Sequence, residues 1–340
     1  YEYFVGGRNN TRLPGTDLTI GEWLGEFRPQ RIHVIPLFEA VEHMLSAADV
    51  MEEYLQDKPL AYHRVFLARS DPAMNSGLVS TVLANKIALY RLSQLENRLG
   101  KPLYPILGVG AAPFRGHLKP TNVERVVEEY PSVQTFTIQS AFKYDYPALE
   151  VSQAIRRLHE LPRRQAHAVD ERRCFEIMEK YTRAYRSAVM ELATVINNVA
   201  AYVPRRRKRK LHIGLFGYSR NLNGVSLPRA ISFTAALYTI GLPPEILALE
   251  VLSREDMAFL KDVYVNFEAD LTAALQYADL ENPFMSEKLR QGIERLGVSV
   301  STHAEHLQIS RQVVEMIRNN RFNRLDEFIL QAASLRQFLG

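Results

Sequence analysis

The chain has a single cysteine, Cys174, among its 340 residues, which excludes an internal disulfide framework and fits a reducing compartment. Cys174 lies in ERRCFEIMEKY, a helical pattern in which a thiol reads as buried filler rather than as a nucleophile. Charge of one sign is scarce too. The formal net charge is +4, and the run RRRKRK at 205–210 alone supplies six positive charges. The rest is near neutral, so a broad nucleic-acid-binding face is not indicated. The basic run falls between a helical and a strand pattern and reads as a solvated connecting loop. Long apolar runs are also missing: the most apolar stretch, 231–252, is broken by Gly241, Pro243 and Pro244 before it could cross a bilayer. The opening YEYFVGGRNNTR lacks the cationic-then-apolar pattern of a secretory leader, so a cytoplasmic location without membrane contact is expected. The first residue is Tyr1 rather than Met, from which a fragment or a processed start is expected.

What is present is an ordinary globular composition. Apolar residues make up 46%, aromatics 10% and charged residues 24%, enough for one large core or two modest ones. Five segments rich in β-branched and aromatic residues predict strands: 31–39, 62–71, 103–110, 133–140 and 211–220. Helical patterns follow them, at 39–55, 76–100, 121–130, 147–161, 170–201 and 227–241. Strand alternating with helix predicts a parallel sheet of βαβ units. From 242 to 340 the pattern is helical throughout, several segments opening on Ser, Thr or Asp caps. The division expected is a lead-in at 1–30, an α/β region at 31–241 and a helical region at 242–340.

Each predicted strand ends in chemistry. The first ends at Glu39 and the second at Asp71; the third leads to Arg115, the fourth to Gln139 and the fifth to Arg220. Parallel α/β folds, (β/α)8 barrels above all, carry their catalytic groups at this edge. Two carboxylates from adjacent strand ends suit a hard divalent cation that keeps water and substrate oxygens. For Asp71 the competing reading is a helix cap, because Ser70-Asp71-Pro72 precedes a helical pattern. Arg229 falls at the start of a helix, where a cation is unfavourable unless an anion lies nearby. Guanidinium groups grip phosphate and carboxylate through paired hydrogen bonds. Together these residues describe a site for a small, multiply charged phosphate ester. The Gly-bearing loops 110–119 and 220–227 read as lids.

The segments IPLFE (35–39), RSDPAMNSG (69–77), GVGAAPFRG (108–116), TIQSAFKYDYP (137–147) and GYSRNLNGVSLPRAI (217–231) resemble consecutive blocks of archaeal-type phosphoenolpyruvate carboxylase, over about 25–340. The resemblance implies an α/β chain forming part of a (β/α)8 TIM-like barrel with a helical C-terminal extension, assembled as a homotetramer. It implies carboxylation of phosphoenolpyruvate by bicarbonate to oxaloacetate and phosphate. It assigns Glu39 and Asp71 to Mg²⁺ (or Mn²⁺), Arg229 to the substrate phosphate with Arg220 beside it, Arg115 to the bicarbonate-derived group and Gln139 to the pocket wall. Two features depart from the wider family. Met74 stands where the bacterial and plant enzymes carry a lysine, and the family's N-terminal histidine block is absent. His33, His63, His117 and His212 are not in that context; His33 and His212, within strand patterns, read as core or lining residues. Five predicted strands against the barrel's eight imply an upstream barrel segment outside this sequence. The competing readings are another metal-enolate barrel enzyme, a lyase or mutase acting on phosphoenolpyruvate or pyruvate, and a non-catalytic protein binding nucleic acid through 205–210.

Overall fold

The β-branched and aromatic residues at 63–68 and 103–108 pair along their whole length. His63–Ala68 (β2) runs parallel to Leu103–Gly108 (β3), in register from His63 with Leu103 to Ala68 with Gly108. Leu37–Phe38 (β1) joins the other edge of β2, and Thr135–Phe136 (β4) joins β3, giving a parallel sheet in the order β1-β2-β3-β4. The computed structural model describes residues 1, 3, 5–29, 32–206, 221–222, 224–297 and 301–340. The predicted fifth strand, 211–220, lies outside the described residues.

The chain divides into two compact units, Tyr1–Pro36 and Leu37–Gly340. The first holds a 3-10 turn at Gly6–Arg8, a bridge between Arg12 and Thr19, and a short helix, Ile20–Leu24 (α1). Thr19 and Glu22 close a reciprocal capping box at the start of α1. The strand predicted at 31–39 is much shorter than its pattern. Residues 32–36 have no regular structure, because a strand exists only where it finds a partner, and only Leu37 and Phe38 pair, with Phe66 and Leu67. His33 is accordingly exposed and outside any strand, against the expectation of a core or lining role.

In the second unit, β1 is followed by Val41–Leu45 (α2) and Ala47–Leu55 (α3), and β2 by Ser70–Ser76 (α4) and Leu78–Leu99 (α5). Val123–Glu129 (α6) follows β3; Ser140–Tyr144 (α7), Ala148–Glu160 (α8) and Glu171–Ala200 (α9) follow β4. A two-stranded antiparallel hairpin, Asn221–Leu222 (β5) with Val225–Ser226 (β6), precedes Ala230–Thr239 (α10). The last stretch is helical: Arg254–Val263 (α11), Phe267–Leu275 (α12), Glu287–Arg295 (α13), Ala304–Arg318 (α14) and Leu325–Arg336 (α15). The predicted helix at 243–252 is instead two 3-10 turns, Pro244–Ile246 and Leu249–Val251, because Ala248 adopts a left-handed conformation between them at φ 69°. The segment Pro244–Val251 is bent by 91° from α10 across residues 240–243. Among the described residues no single helix is long and apolar enough to cross a membrane.

Helix α5 is buried on all sides over its first three turns, as an apolar helix must be when elements cover every face. Its Val79, Val82 and Leu83 belong to a core shared with α9, α10 and the C-terminal helices, whereas Ala88, Leu89, Leu92 and Leu95 join the core beneath the sheet. Gly77 sets the angle between α4 and α5. It holds φ +81°, and a Cβ there would lie 2.6 Å from the ring of Tyr181 on α9. Cys174 sits fully buried in the first of these cores, and burial pushes its thiol up to about 12, which removes the nucleophilic thiolate.

Candidate active site

Three consecutive strand ends converge on one guanidinium. The loop after β3 carries Arg115 in a 3-10 turn at Pro113–Arg115. Its Nε donates to Ser70 Oγ, just past β2, at 3.1 Å, and a terminal nitrogen donates to Gln139 Oε1, just past β4. The other terminal nitrogen donates to the backbone oxygen of Gly340. Sequence reasoning singled out Arg115 and Gln139, and the fold brings them together; Ser70 and Gly340 were missed. Ser70 stands in the RSDP block beside Asp71, so its position was a signal, but a serine at a strand end has too many ordinary uses to stand out.

The loop itself is held rather than free. Residues 111–118 are all buried. Gly110 N–H donates to Arg115 O at 2.7 Å, and Leu118 N–H to Gly110 O at 2.8 Å. Gly116 turns the chain at φ +108°, where a Cβ would lie 2.5 Å from a methyl of Val109. At Gly110 a Cβ would lie 2.8 Å from Arg115 Cζ, so glycine there makes room for the guanidinium. Arg69, only 1% exposed, donates to Phe114 O at 3.2 Å, tying the end of β2 to the same loop. A buried, hydrogen-bonded segment of this kind is not a lid, which corrects that expectation for 110–119.

Two buried carboxylates reach the loop from the helical region. Glu245 Oε1 accepts the Phe114 N–H and the Tyr238 O–H, both at 2.7 Å. Burial pushes the Glu245 carboxyl up to about 7, against the pull of those two hydrogen bonds. Asp270 Oδ1 accepts from His117 Nδ1, and its Oδ2 from the Tyr264 hydroxyl. His117 is 4% exposed and holds φ 61°. No sequence signal marked Glu245 or Asp270.

The two expected metal ligands follow adjacent strands: Glu39 comes directly after β1, whose Phe38 is level with Leu67, and Asp71 comes shortly after β2. Asp71 is half-buried in the first turn of α4, whose N-cap is Arg69 with no side-chain cap bond. The competing cap role is therefore not the one it plays; a carboxylate there still complements the helix N-terminus. No group of three or more His, Cys, Asp or Glu side chains able to hold a metal ion occurs among the described residues. The donor set of two carboxylates fits a hard divalent cation that keeps water and substrate oxygens, and does not fit a metal that needs nitrogen or sulfur.

Arg229 is the N-cap residue of α10, one position earlier than the first turn, and is exposed. Gly340 lies between Arg115 and α10. A Cβ on Gly340 would lie 2.2 Å from Ile231 O in the first turn of α10, while the Gly340 oxygen accepts from Arg115. Arg220 and His212 lie outside the described residues. Of the basic run, Arg206 pairs with Asp145, and 207–210 lie outside the described residues.

A sequence model of the family described as phosphoenolpyruvate carboxylase matches residues 1–340. The phosphoenolpyruvate carboxylase of Methanospirillum hungatei is 47% identical over 343 residues, covering 100% of this chain and 71% of that protein. That of Methanothermobacter thermautotrophicus is 48% identical over 340 residues, covering 100% of this chain and 70% of the relative. That of Pyrococcus furiosus is 44% identical over 327 residues, covering 95% of this chain and 66% of the relative.

Proposed function

The chain belongs to the phosphoenolpyruvate carboxylase family, and on that premise we propose how its residues divide the work of joining bicarbonate to phosphoenolpyruvate. The enzyme forms oxaloacetate and phosphate. Bicarbonate attacks the phosphate of phosphoenolpyruvate, leaving carboxyphosphate and the enolate of pyruvate; CO₂ released from carboxyphosphate is then captured at carbon three of the enolate. Both halves develop negative charge, and a protonated enolate would be lost as pyruvate. The site must therefore supply fixed positive charge and keep water out.

The observation that carries this reading is the convergence of Ser70, Gln139 and Arg115 at three neighbouring strand ends. It supports Arg115 as the group facing the bicarbonate-derived carboxylate, with Gln139 lining the pocket and fixing the guanidinium plane. Arg229, exposed at the N-terminus of α10, is proposed to grip the substrate phosphate, with Arg220 beside it. Helix dipole and guanidinium would act on the same anion. Glu39 and Asp71 are proposed to hold a divalent cation, Mg²⁺ or Mn²⁺, which when bound neutralises charge on substrate oxygens. The buried stretch 111–118 keeps bulk water from the Arg115 side.

The sequential parallel order of β1–β4 supports the finer proposal that 31–241 forms part of a (β/α)8 barrel, with the helical region 242–340 packed on it after a lead-in at 1–30. Closing such a barrel takes more strands than the four described, and an upstream segment is proposed to supply them. A homotetramer in the cytoplasm completes the proposal, supported by the resemblance of the sequence blocks. The test uses the full-length protein in an assay for bicarbonate-dependent oxaloacetate formation. Glu39→Ala and Asp71→Ala should each raise the metal concentration needed for half-maximal rate by about ten- to a hundredfold with the fold intact. Wild-type metal dependence in both variants would remove the cation site from this pair.

A further inference from the structure

The loop that carries Arg115 is fixed at its two ends by acidic side chains that the sheet does not supply. Glu245 comes from the 3-10 turn at Pro244–Ile246 and takes the N–H of Phe114, immediately before Arg115. Asp270 comes from α12 and takes the ring of His117, shortly after it. Both are buried, at 0% and 5% exposure. The Glu245 arrangement is not what stability alone would select. Burying a carboxylate is costly, and the second oxygen of Glu245 has no hydrogen-bond partner. Tyr238 and Tyr264 then fix the two carboxylates in turn, one hydroxyl on each. With Arg69 on the Phe114 carbonyl, the peptide before Arg115 is held at both its N–H and its C=O.

We propose that Glu245 and Asp270 are positioning residues for Arg115, acting through the Phe114 backbone and the His117 ring, so that the helical region sets the register of a guanidinium displayed by the sheet. This rests on the reading above that Arg115 faces the bicarbonate-derived group. A guanidinium moved by about an ångström loses its hold on that group at a cost of up to about a hundredfold. The enolate then takes a proton more often than CO₂. The consequence is a change in product ratio, pyruvate against oxaloacetate per phosphate released. That ratio does not depend on how much of the protein is folded, so a purely structural role would leave it unmoved.

The experiment measures this ratio in the full-length protein for Arg115→Ala, Glu245→Ala, Asp270→Ala, Glu245→Gln, Asp270→Asn, His117→Asn and the double variant Arg115→Ala/Glu245→Ala. Arg115→Ala should raise the pyruvate share strongly, and each carboxylate-to-alanine change should raise it about tenfold. The double variant should match Arg115→Ala, because Glu245 acts only through that arginine. Glu245→Gln should keep the wild-type ratio, since one amide oxygen can accept both bonds that Oε1 now accepts. Asp270→Asn should keep the ratio near the wild-type value, since its amide oxygen can accept from His117 and its NH₂ can donate to the Tyr264 hydroxyl. Should the alanine variants fail to fold, His117→Asn carries the test: it suits the left-handed backbone there but is too short to reach Asp270, and an unchanged ratio overturns the proposal. So does a double variant whose effects add. If Arg115→Ala itself leaves the ratio unchanged, the assigned role of Arg115 fails first. A shift with Arg115→Ala but with neither carboxylate variant instead sinks the positioning claim alone.

Discussion

Arg115 and Arg229 differ in exposure and in how the protein holds them. Arg115 is 4% exposed, with each guanidinium nitrogen donating to a protein oxygen. Arg229 is exposed, at the head of a ten-residue helix with no side-chain cap bond. A guanidinium whose nitrogens are already held by the protein loses little freedom when a ligand arrives, and its geometry is decided by the fold. An exposed one is ordered only when an anion meets it, and contributes mainly attraction. On the roles proposed above, the difference suits two ends: one cation would shape the reacting geometry and the other would collect the phosphate.

The sharpest way to break this comparison is to replace both arginines by lysine, which keeps the charge and removes the planar fork. Arg115→Lys should lower kcat by about a hundredfold or more, because one ammonium cannot reach Ser70, Gln139 and Gly340 together. Arg229→Lys should chiefly raise KM for phosphoenolpyruvate, by about tenfold, with a smaller effect on kcat. Arg125→Lys, on an exposed face of α6, serves as the control and should change neither. Equal effects of the two active-site lysine substitutions on KM and kcat would erase the distinction.

A smaller expected effect comes from Gly110→Ala, whose new methyl would lie 2.8 Å from Arg115 Cζ. Room for it comes only by moving the guanidinium, so kcat should fall by about tenfold while KM for phosphoenolpyruvate holds. A kcat equal to wild type would show that the arginine tolerates displacement.

A last effect is on stability rather than on rate and follows from Glu245. Its carboxyl is raised to about 7 in the folded protein from a usual 4.5, mainly by burial. The folded state then binds the proton more tightly than the unfolded chain. The contribution of this group is therefore most favourable below pH about 4.5 and is lost as pH rises through about 7, by up to about 3 kcal/mol. Glu245→Gln should flatten the fall in unfolding free energy across that window, seen in denaturant midpoints from pH 5 to 8. Parallel curves for the two proteins would mean that the carboxyl does not titrate there.

Much of this was legible in the residues. The runs at 63–68 and 103–108 carry Val65, Phe66, Tyr104 and Ile106, and they form strands where the pattern places them. The long helical patterns at 78–99 and 171–200 are helices for an equally local reason. Arg115 stood out because it sits in a glycine-punctuated loop after a strand, and Gln139 because it falls at a predicted strand end. The strand predicted at 31–39 shrank to Leu37–Phe38 because pairing, not propensity, decides where a strand stops. The helix predicted at 243–252 broke at Ala248 because apolar spacing does not reveal a left-handed residue.

The sequence by itself determined the alternation of strand and helix, the family blocks and the identity of the polar groups at the strand ends, since each depends on residues near one another in the chain. Only the tertiary structure decided that Glu245 and Asp270 should meet the Arg115 loop, across sequence separations of 131 and 153 residues. No local pattern encodes such a meeting. A buried carboxylate looks like a surface one in the sequence, and its role is set by which backbone N–H or ring nitrogen the packing of distant helices presents to it.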